Sequence, residues 1–421
     1  MGGVLHQRED ESGTNTSGGG WNPRAKGSAG AFTGISKKDY RAHPKVVKSR
    51  YVNHAAMADT SAEVGALARP QTEGGDPFGT HRTVEPRGAL PQPASRVDND
   101  FSRIYAGELL LAVDTLNVDA ASFRQMEEAG AKIGQAAEVA VSRNVLETIA
   151  SRGKQHNPVT GSGGMLLGRV LQVASDRADA ATLKPGDRVA TLVSLSLTPL
   201  RVDRILAVRI ASAQLDVEGE AVLFASGAYA RMPSDLPERL ALAVLDVAGA
   251  APQVARLVKP GASVCIFGAG GKSGILCAAE ARRAGGPSAR VIGVETHEPY
   301  AADLRALGLC DEVLSLDARD PVAARVAVLA ANGGREVDLS LSCVNVTDAE
   351  MSAIMVTRDR GIAYFFAMST SFTKAALGAE GVSKDVDLVI GNGYAVGHAD
   401  HSLAMMREMP TIRALFEKRY G

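Results

Sequence analysis

The chain has 421 residues, and its 46 Lys and Arg side chains nearly balance its 47 Asp and Glu side chains. This balance argues against a nucleic acid or a membrane surface as a partner, because binding either one needs an extended basic surface. No apolar run approaches the roughly 20 residues that a membrane-spanning helix needs. The length is sufficient for two domains, and the 44 glycines are typical of an α/β enzyme with many tight turns.

Residues 1–75 differ in composition from the rest of the chain and are predicted to be a disordered leader. Residues 12–20 are rich in Gly, Ser, Thr and Asn, and residues 24–50 contain eight Lys or Arg and one acid. Such a segment cannot bury enough apolar surface to offset the entropy lost on ordering. A basic targeting arm is the functional alternative, and Met57 is a second candidate for the start of the protein.

Residues 76–240 are predicted to form a β-rich domain that carries the substrate site. Short apolar runs, such as 109–113 and 168–174, are separated by Gly and Pro corners. Residues 183–190, Leu-Lys-Pro-Gly-Asp-Arg-Val-Ala, predict a turn that leads into a strand. One helix is expected over residues 122–150, where apolar side chains recur with helical spacing.

A dinucleotide-binding unit is predicted from residue 264. Residues 264–274 read Val-Cys-Ile-Phe-Gly-Ala-Gly-Gly-Lys-Ser-Gly, an apolar strand followed by a glycine-rich turn and then by a helical pattern. A second apolar strand ends on Glu295, which lies 21 positions after Gly274. Glycine lets the backbone approach a pyrophosphate, and the helix N-terminus offers free N–H groups to it. An ordinary tight turn between a strand and a helix is the structural alternative.

NAD is the predicted cofactor, because a carboxylate at Glu295 accepts hydrogen bonds from both ribose hydroxyls and repels a 2′-phosphate. A phosphate-binding P-loop is rejected, since that motif needs a glycine where the chain has Ile266. The predicted cofactor-binding residues are Gly268, Gly270, Gly271, Lys272, Ser273, Gly274, Glu295 and Asn345.

The second domain is predicted to span residues 241–372. It starts with a helix over 240–258, and after Glu295 strands and helices alternate. This alternation predicts an α/β fold with a doubly wound parallel sheet. Residues 373–421 are expected to return and pack on the catalytic domain.

This domain order resembles the medium-chain dehydrogenase/reductase superfamily, in particular through the pairing of residues 183–190 with Leu-Val-Lys-Pro-Gly at 257–261. The resemblance implies a GroES-like catalytic domain, a Rossmann domain and a homodimer joined through the nucleotide domains. Zinc-dependent members carry Gly-His-Glu before the first of these turns. Here Ser162 and Gly163 replace the metal ligands, so no metal is expected. The four cysteines form no Cys-x-x-Cys pair and are interpreted as buried thiols in a reducing cytoplasm.

Longer segments are similar to a narrower family of this superfamily, the L-erythro-3,5-diaminohexanoate dehydrogenases of lysine fermentation. These segments include residues 79–93, 157–165, 190–201 and 371–381. The resemblance implies that the substrate is the small molecule (3S,5S)-3,5-diaminohexanoate, that NAD oxidises it, and that 5-amino-3-oxohexanoate, ammonium and NADH are formed.

The catalytic candidates follow from the chemistry of an amine oxidation. An ammonium must lose a proton before its carbon can release a hydride, so the site needs a general base. A zwitterionic substrate also needs a cation for its carboxylate and an acceptor for its second ammonium. The predicted catalytic residues are Glu85, Asp246, Lys374 and His81. The predicted substrate-binding residues are Arg82, Thr160, Ser162 and Gly163. Each charged candidate has a structural alternative, namely a solvated surface side chain or, for Asp246, a helix cap or a link between domains.

Two other functions remain open from the sequence. A zinc-free quinone or enoyl reductase uses the same scaffold, although its flat apolar substrates need few charged groups. A nucleotide-binding redox sensor without catalysis would need a surface for a partner, and the basic leader is the candidate for such a surface.

Overall fold

The computed structural model describes residues 68–158 and 161–420. Most of the predicted leader, including Met57, therefore lies outside the described residues, as does Thr160. The end predicted for the leader, residue 75, is too late. Arg69 already donates to the Glu220 carboxylate at 2.6 Å, and Gln71–Thr72 pairs with a later strand. The ordered β-rich domain thus begins before residue 76.

The β-rich domain contains ten of the strands in the described residues. They are β1 (Gln71–Thr72), β2 (Thr83–Glu85), β3 (Arg96–Val97), β4 (Ile104–Tyr105), β5 (Leu109–Asn117), β6 (Met165–Val173), β7 (Arg188–Thr191), β8 (Leu200–Arg209), β9 (Gln214–Leu223) and β10 (Tyr229–Arg231). Six of them form an antiparallel sheet in the order β10-β7-β6-β5-β9-β8. The predicted β-rich character of this domain is confirmed.

The helix expected over residues 122–150 is two helices, α1 (Ala120–Ala131) and α2 (Ala137–Arg152). Gly134 has a φ of 67°, a left-handed conformation that ends helical geometry between them. Both helices contribute apolar side chains to the core beneath the antiparallel sheet, among them Phe123 and Ile149. This packing fixes the end of β5, where Asn117 lies.

The second domain is built on six parallel strands of the described chain. They are β11 (Ser263–Phe267), β12 (Arg290–Val294), β13 (Glu312–Leu314), β14 (Val337–Ser342), β15 (Thr357–Phe365) and β16 (Asp387–Ile390). The sheet order is β13-β12-β11-β14-β15-β16, and all neighbours run parallel. The chain leaves β11 toward β12 on one side and later adds β14 on the other. This reversal opens a crevice at the carboxyl ends of the strands, which confirms the predicted doubly wound sheet.

Helices surround this sheet and link it to the first domain. They are α3 (Glu238–Leu245), α4 (Ala250–Leu257), α5 (Lys272–Gly285), α6 (Glu298–Leu307), α7 (Pro321–Ala331), α8 (Glu350–Val356), α9 (Phe372–Gly381), α10 (His398–Glu408) and α11 (Pro410–Tyr420). The single helix predicted over 240–258 is the pair α3 and α4, bent by 48°. Of the helices in the described ranges, none is by itself long and apolar enough to cross a bilayer, and only this bent pair passes that test by length and composition.

The predicted boundary at residue 372 is too early. Strand β16 hydrogen-bonds in parallel register to β15, for example Val389 beside Tyr364, so the nucleotide domain extends to Ile390. The expected return segment is therefore shorter and consists mainly of α10 and α11. These helices pack on α3, α4 and α6. Leu403 and Phe416 lie with Leu240 in one apolar core.

A buried ionic network holds the start of the β-rich domain. Arg82 is fully buried, and its Nε and Nη2 donate to the Glu108 carboxylate at 2.5 and 2.8 Å. His81 contacts Glu108 through Nε2 at 2.9 Å and Asp76 through Nδ1 at 3.0 Å. Burial lowers the pKa of His81, but these two hydrogen bonds raise it by more, so the net pKa lies above 6.5. The network connects the segment before β2 to the start of β5.

Glu108→Gln is expected to lower the free energy of unfolding by about 3–5 kcal/mol, because it leaves the Arg82 charge buried without an anionic partner. The pairing of protonated His81 with Glu108 and Asp76 also stabilises the folded protein. This contribution is complete below pH 6.5 and is lost as the pH rises through the raised pKa that His81 has in the folded state. Urea denaturation measures both effects. The matched control is Glu218→Gln, which breaks an exposed pair with Arg204 and should cost much less stability than Glu108→Gln. Equal losses in the two variants would contradict the prediction.

Candidate active site

The glycine-rich turn between β11 and α5 is closely packed on its inner side. Gly268 has a φ of 73°, and a Cβ at this position would lie 2.9 Å from Val344 Cγ1. A Cβ on Gly274 would lie 2.1 Å from the Gly268 carbonyl oxygen, so the first turn of α5 can approach the turn only with glycine. A Cβ on Gly271 would meet a single atom, at 3.5 Å. The turn is therefore tight toward the protein and open at Gly271.

A cavity of about 640 Å³ lies in front of this turn. It is lined by residues that follow the carboxyl ends of β11, β12, β13 and β14. Gly268, Gly271, Glu295 and Asn345 are among them. The volume lies in the range of ligand pockets, and the position is the one where doubly wound sheets bind nucleotides.

Glu295 follows β12 and connects that strand to the glycine-rich turn. Its Oε2 accepts the Gly270 N–H at 3.1 Å, and its Oε1 accepts the His297 N–H at 3.0 Å. Each carboxylate oxygen retains a further lone pair, which can accept a ribose hydroxyl. The open Gly271, the helix N-terminus behind it and this carboxylate together fit a dinucleotide.

Lys272 and Asp246 meet at the junction of the two domains. Lys272 begins α5, Asp246 follows α3, and Asn117 ends β5. Lys272 Nζ donates to Asp246 Oδ2 at 2.6 Å, and Asn117 Nδ2 donates to Asp246 Oδ1 at 3.0 Å. Burial lowers the pKa of Lys272, but Asp246 raises it by more, so the ammonium stays charged. A predicted cofactor residue and a predicted catalytic residue are thus in direct contact.

Lys272 and Asp246 are not among the residues that line the cavity, and neither are four other predicted residues. His81 and Arg82 belong to the buried network of the β-rich domain, and Arg82 has no exposed guanidinium surface to offer a substrate carboxylate. Glu85 is exposed on β2. Lys374 is exposed near the start of α9 and pairs with Asp348. None of the four lines the cavity.

The loop with Ser162 and Gly163 is held by backbone contacts. The Ser162 carbonyl accepts the Asn157 N–H at 2.7 Å, and the Gly163 N–H donates to Ser194 Oγ at 2.9 Å. A Cβ on Gly163 would lie 2.4 Å from the Gln155 carbonyl oxygen, so this position needs glycine for close packing. Ser273 lies half-buried in the first turn of α5.

Two site residues were missed by the sequence reasoning. Arg124 on α1 reaches the dinucleotide cavity from the β-rich domain and has no ion pair among the described residues, so it is available to an anionic group. Asn117 is 2% exposed and holds Asp246. A buried amide at the end of an apolar strand was the available signal for Asn117, whereas nothing local distinguishes Arg124 from a surface arginine.

Potential metal ligands are dispersed in the part of the chain that the structure describes. Residues 68–158 and 161–420 contain no group of three or more His, Cys, Asp or Glu side chains that is arranged to hold a metal ion.

The antiparallel domain, the parallel sheet with its glycine-rich turn and the cavity before it define a two-domain, dinucleotide-binding fold of the medium-chain dehydrogenase/reductase type. The family model described as the L-erythro-3,5-diaminohexanoate dehydrogenase N-terminal domain matches residues 81–233. The chain belongs to the L-erythro-3,5-diaminohexanoate dehydrogenase family, which confirms the resemblance seen in the sequence.

Two curated relatives carry this conclusion. The L-erythro-3,5-diaminohexanoate dehydrogenase of Acetoanaerobium sticklandii is 50% identical over 343 residues, which are 82% of this chain and 98% of that protein. The enzyme of the same name from Fusobacterium nucleatum is 49% identical over 344 residues, with the same two shares. Among solved structures, a mycobacterial protein complexed with NADPH is 16% identical, covers 78% of this chain and 87% of its own, and has a TM-score of 0.48.

Replacing two glycines of the turn should separate folding from cofactor binding. Gly274→Ala is expected to lower the free energy of unfolding by about 1–3 kcal/mol, because its Cβ collides with the backbone of Gly268. Gly271→Ala should leave this energy within about 0.5 kcal/mol of the wild-type value and still weaken NADH binding, because its Cβ enters the cavity. Denaturation and NADH fluorescence titration measure the two quantities. Normal NADH affinity in Gly271→Ala would refute this assignment of the cavity.

Proposed function

We propose that this chain catalyses the NAD-dependent oxidative deamination of (3S,5S)-3,5-diaminohexanoate. One water is consumed, and the products are 5-amino-3-oxohexanoate, ammonium, NADH and one proton. The observation that carries the proposal is the 50% identity to the Acetoanaerobium sticklandii dehydrogenase over 98% of that enzyme's length. At this identity and coverage, both domains and the crevice between them are shared.

Glu295 supports NAD rather than NADP as the oxidant. Its carboxylate lies in the cavity wall beside the glycine-rich turn. At this position it would accept hydrogen bonds from ribose hydroxyls and repel a 2′-phosphate. Gly271 and the N-terminus of α5 would receive the pyrophosphate. A bound nicotinamide dinucleotide supplies the hydride acceptor. This chain must supply the base and the binding groups for a doubly cationic amino acid.

Asp246 is the predicted base that is joined to the nucleotide site, because it pairs with Lys272, the residue after the cavity-lining Gly271. It lies at the start of the segment between α3 and α4 and already accepts a hydrogen bond from the Lys272 ammonium. The substrate ammonium is the same chemical group. In the proposed reaction Asp246 takes a proton from this ammonium, the C–H bond then breaks as hydride, and a C=N bond forms. Water adds to that carbon, and ammonia leaves as the carbonyl forms.

The two alternative functions are less well supported. The curated relatives are named as dehydrogenases of a diamino acid, not as quinone or enoyl reductases. Asn117, Asp246 and Lys272 also place polar and charged groups at the domain junction, which a flat apolar substrate does not need. A non-catalytic redox sensor is also less well supported, because both curated relatives are named as enzymes.

A homodimer in the cytoplasm, active in lysine fermentation, is the cellular form that we propose. Strand β16 is an edge of the parallel sheet, and its Ile390 is 57% exposed. Phe372 and Leu377 on the preceding helix are also exposed. An open strand edge with apolar neighbours suits pairing with a second copy of the chain. Light scattering tests this directly, and a monomer at micromolar concentration would overturn it.

The purified protein should form NADH from NAD and 3,5-diaminohexanoate, but not from simple alcohols. Asp246→Asn is expected to lower kcat by about 10²–10⁴-fold, the usual contribution of a general base. The matched control is Glu238→Gln, because Glu238 lies on α3 and pairs with Arg188 at the surface. Absorbance at the NADH wavelength measures turnover. Unchanged turnover in Asp246→Asn would remove it as the base, and an inactive wild-type protein would overturn the proposed reaction.

Glu295→Gln is expected to raise KM for NAD by about 10–100-fold, because the variant loses charge-assisted hydrogen bonds to the ribose. The same change should improve the relative use of NADP, since the repulsion of its 2′-phosphate disappears. Steady-state kinetics with both cofactors give the ratio of kcat/KM. Glu298→Gln is the control, because this nearby glutamate pairs with Arg305 at the surface. An unaltered NAD-to-NADP ratio would contradict the role of Glu295.

A further inference from the structure

We propose that Arg419, at the end of the last helix, is a positioning residue that fixes the glycine-rich turn in its cofactor-binding conformation. The proposal rests on the nicotinamide site proposed above. It concerns a residue that lies 149 positions after Gly270 in sequence, which neither the turn motif nor the family comparison indicates.

The Gly270 residue of the turn is held on three sides. Its carbonyl accepts a hydrogen bond from Arg419 Nη1 at 2.7 Å, and its N–H donates to Glu295 Oε2 at 3.1 Å. A Cβ at this position would lie 2.7 Å from Tyr300 Cβ, so Tyr300 closes the third side. The orientation of the peptide plane after Gly270 therefore depends on Arg419, since that carbonyl has this side chain as its hydrogen-bond partner.

The Arg419 guanidinium is itself fixed by two residues of α6. Its Nη2 and Nε donate to Asp303 Oδ2 at 2.7 and 3.2 Å, and it lies 4.0 Å from the centre of the Tyr300 ring. The side chain is 8% exposed. The planar guanidinium makes a hydrogen bond, an ion pair and a stacking contact at once, which a lysine ammonium cannot reproduce. Arg419 is therefore a rigid donor rather than a mobile surface charge.

Helix α11, which contains Arg419, is held in place by buried apolar side chains. Ile412 and Phe416 on its inner face are almost fully buried in the core that includes α3. The Tyr420 ring lies 5.6 Å from Lys272 Nζ, at the start of α5. The last helix thus contacts the turn at Gly270 and the first residue after it at Lys272.

The hydrogen bond from Arg419 to the Gly270 carbonyl is expected to affect the affinity for the cofactor rather than the rate of the chemical step. The N–H groups that would receive the pyrophosphate belong to peptides at and after the turn. If these peptides are already ordered, binding does not have to supply the free energy of ordering them. Releasing the Gly270 carbonyl should therefore weaken NAD binding and leave the base, the substrate groups and the hydride geometry in place.

The test compares Arg419→Ala with Arg413→Ala, since Arg413 lies on the same helix and pairs with Glu417 at the surface. Arg419→Ala is expected to raise KM for NAD and the Kd of NADH about tenfold, the effect of one hydrogen bond to a charged group. Its kcat at saturating NAD and its KM for the diamino acid should stay within about twofold of wild type. Arg419→Lys should recover only part of the affinity, and Arg413→Ala should bind NADH as the wild type does.

Asp303→Asn provides a second variant that keeps Arg419 and loosens its ion pair, with an expected rise in the Kd of NADH of about two- to fivefold. Wild-type NADH affinity in both Arg419→Ala and Asp303→Asn would overturn the proposal. A parallel loss of kcat, diamino-acid KM and NADH affinity would also overturn it, because a general packing defect then explains the data. Both of these outcomes concern the variants only, so they would leave the proposed function of the wild-type protein intact. A wild-type protein that binds no NADH would overturn the proposed function as well.

Discussion

The contact between Lys272 and Asp246 is the interaction on which the arrangement of the crevice depends. It joins the first residue of α5 to the bend between α3 and α4, and through Asn117 to the last residue of β5. Three segments that are far apart in sequence therefore meet at one carboxylate. Since a half-buried charge is costly without a partner, neither Lys272 nor Asp246 can move away alone without leaving a charge unpaired. Moving Asn117 away would leave a buried amide without its carboxylate acceptor. This cluster contributes to the relative position of the two domains at the crevice, together with the apolar core in which Leu167 and Ile275 both lie.

The glycine-rich turn is also held by contacts with segments that are distant in sequence. Its glycines allow close approach on the protein side, where Gly274 touches the Gly268 carbonyl and Gly270 lies against Tyr300. The polar groups that this packing would otherwise leave buried are satisfied by Glu295 and Arg419. The turn is thereby ordered before any phosphate arrives, and its open side at Gly271 remains for the ligand.

Local patterns in the sequence were sufficient to predict those parts of the fold whose geometry depends on neighbouring residues. The strand, turn, helix and acid from residue 264 to Glu295 predicted the nucleotide unit, because spacing and glycine positions determine its geometry. Strands β8 and β9 were missed. The outer strand β8 carries exposed charges such as Arg204 and so lacks a clear apolar pattern. The break between α1 and α2 depends on one left-handed glycine, Gly134, inside a segment of helical composition.

The features that the sequence did not predict depend on contacts between segments that are distant in the chain. Arg82 has the charge and the polar sequence context of a substrate-binding cation. In the structure it pairs with Glu108, 26 residues further on, and is buried in the β-rich domain. The sixth strand of the parallel sheet was assigned to a return segment, because its pairing with β15 is a tertiary contact that periodicity does not show. For the same reason Arg124 and Arg419 gave no signal in the sequence, although both lie beside the cavity or its turn.

The charges at the domain junction also suit the first step of the proposed reaction. Asp246 accepts one hydrogen bond on each carboxylate oxygen, from Asn117 and from Lys272, and a carboxylate has room for about four. A substrate ammonium can therefore bind Asp246 without displacing Lys272. The neighbouring Lys272 charge then lowers the pKa of that ammonium, because two cations close together disfavour each other's protonated form. The cluster would thus place both a proton acceptor and a second cation beside the ammonium that must lose its proton before hydride transfer.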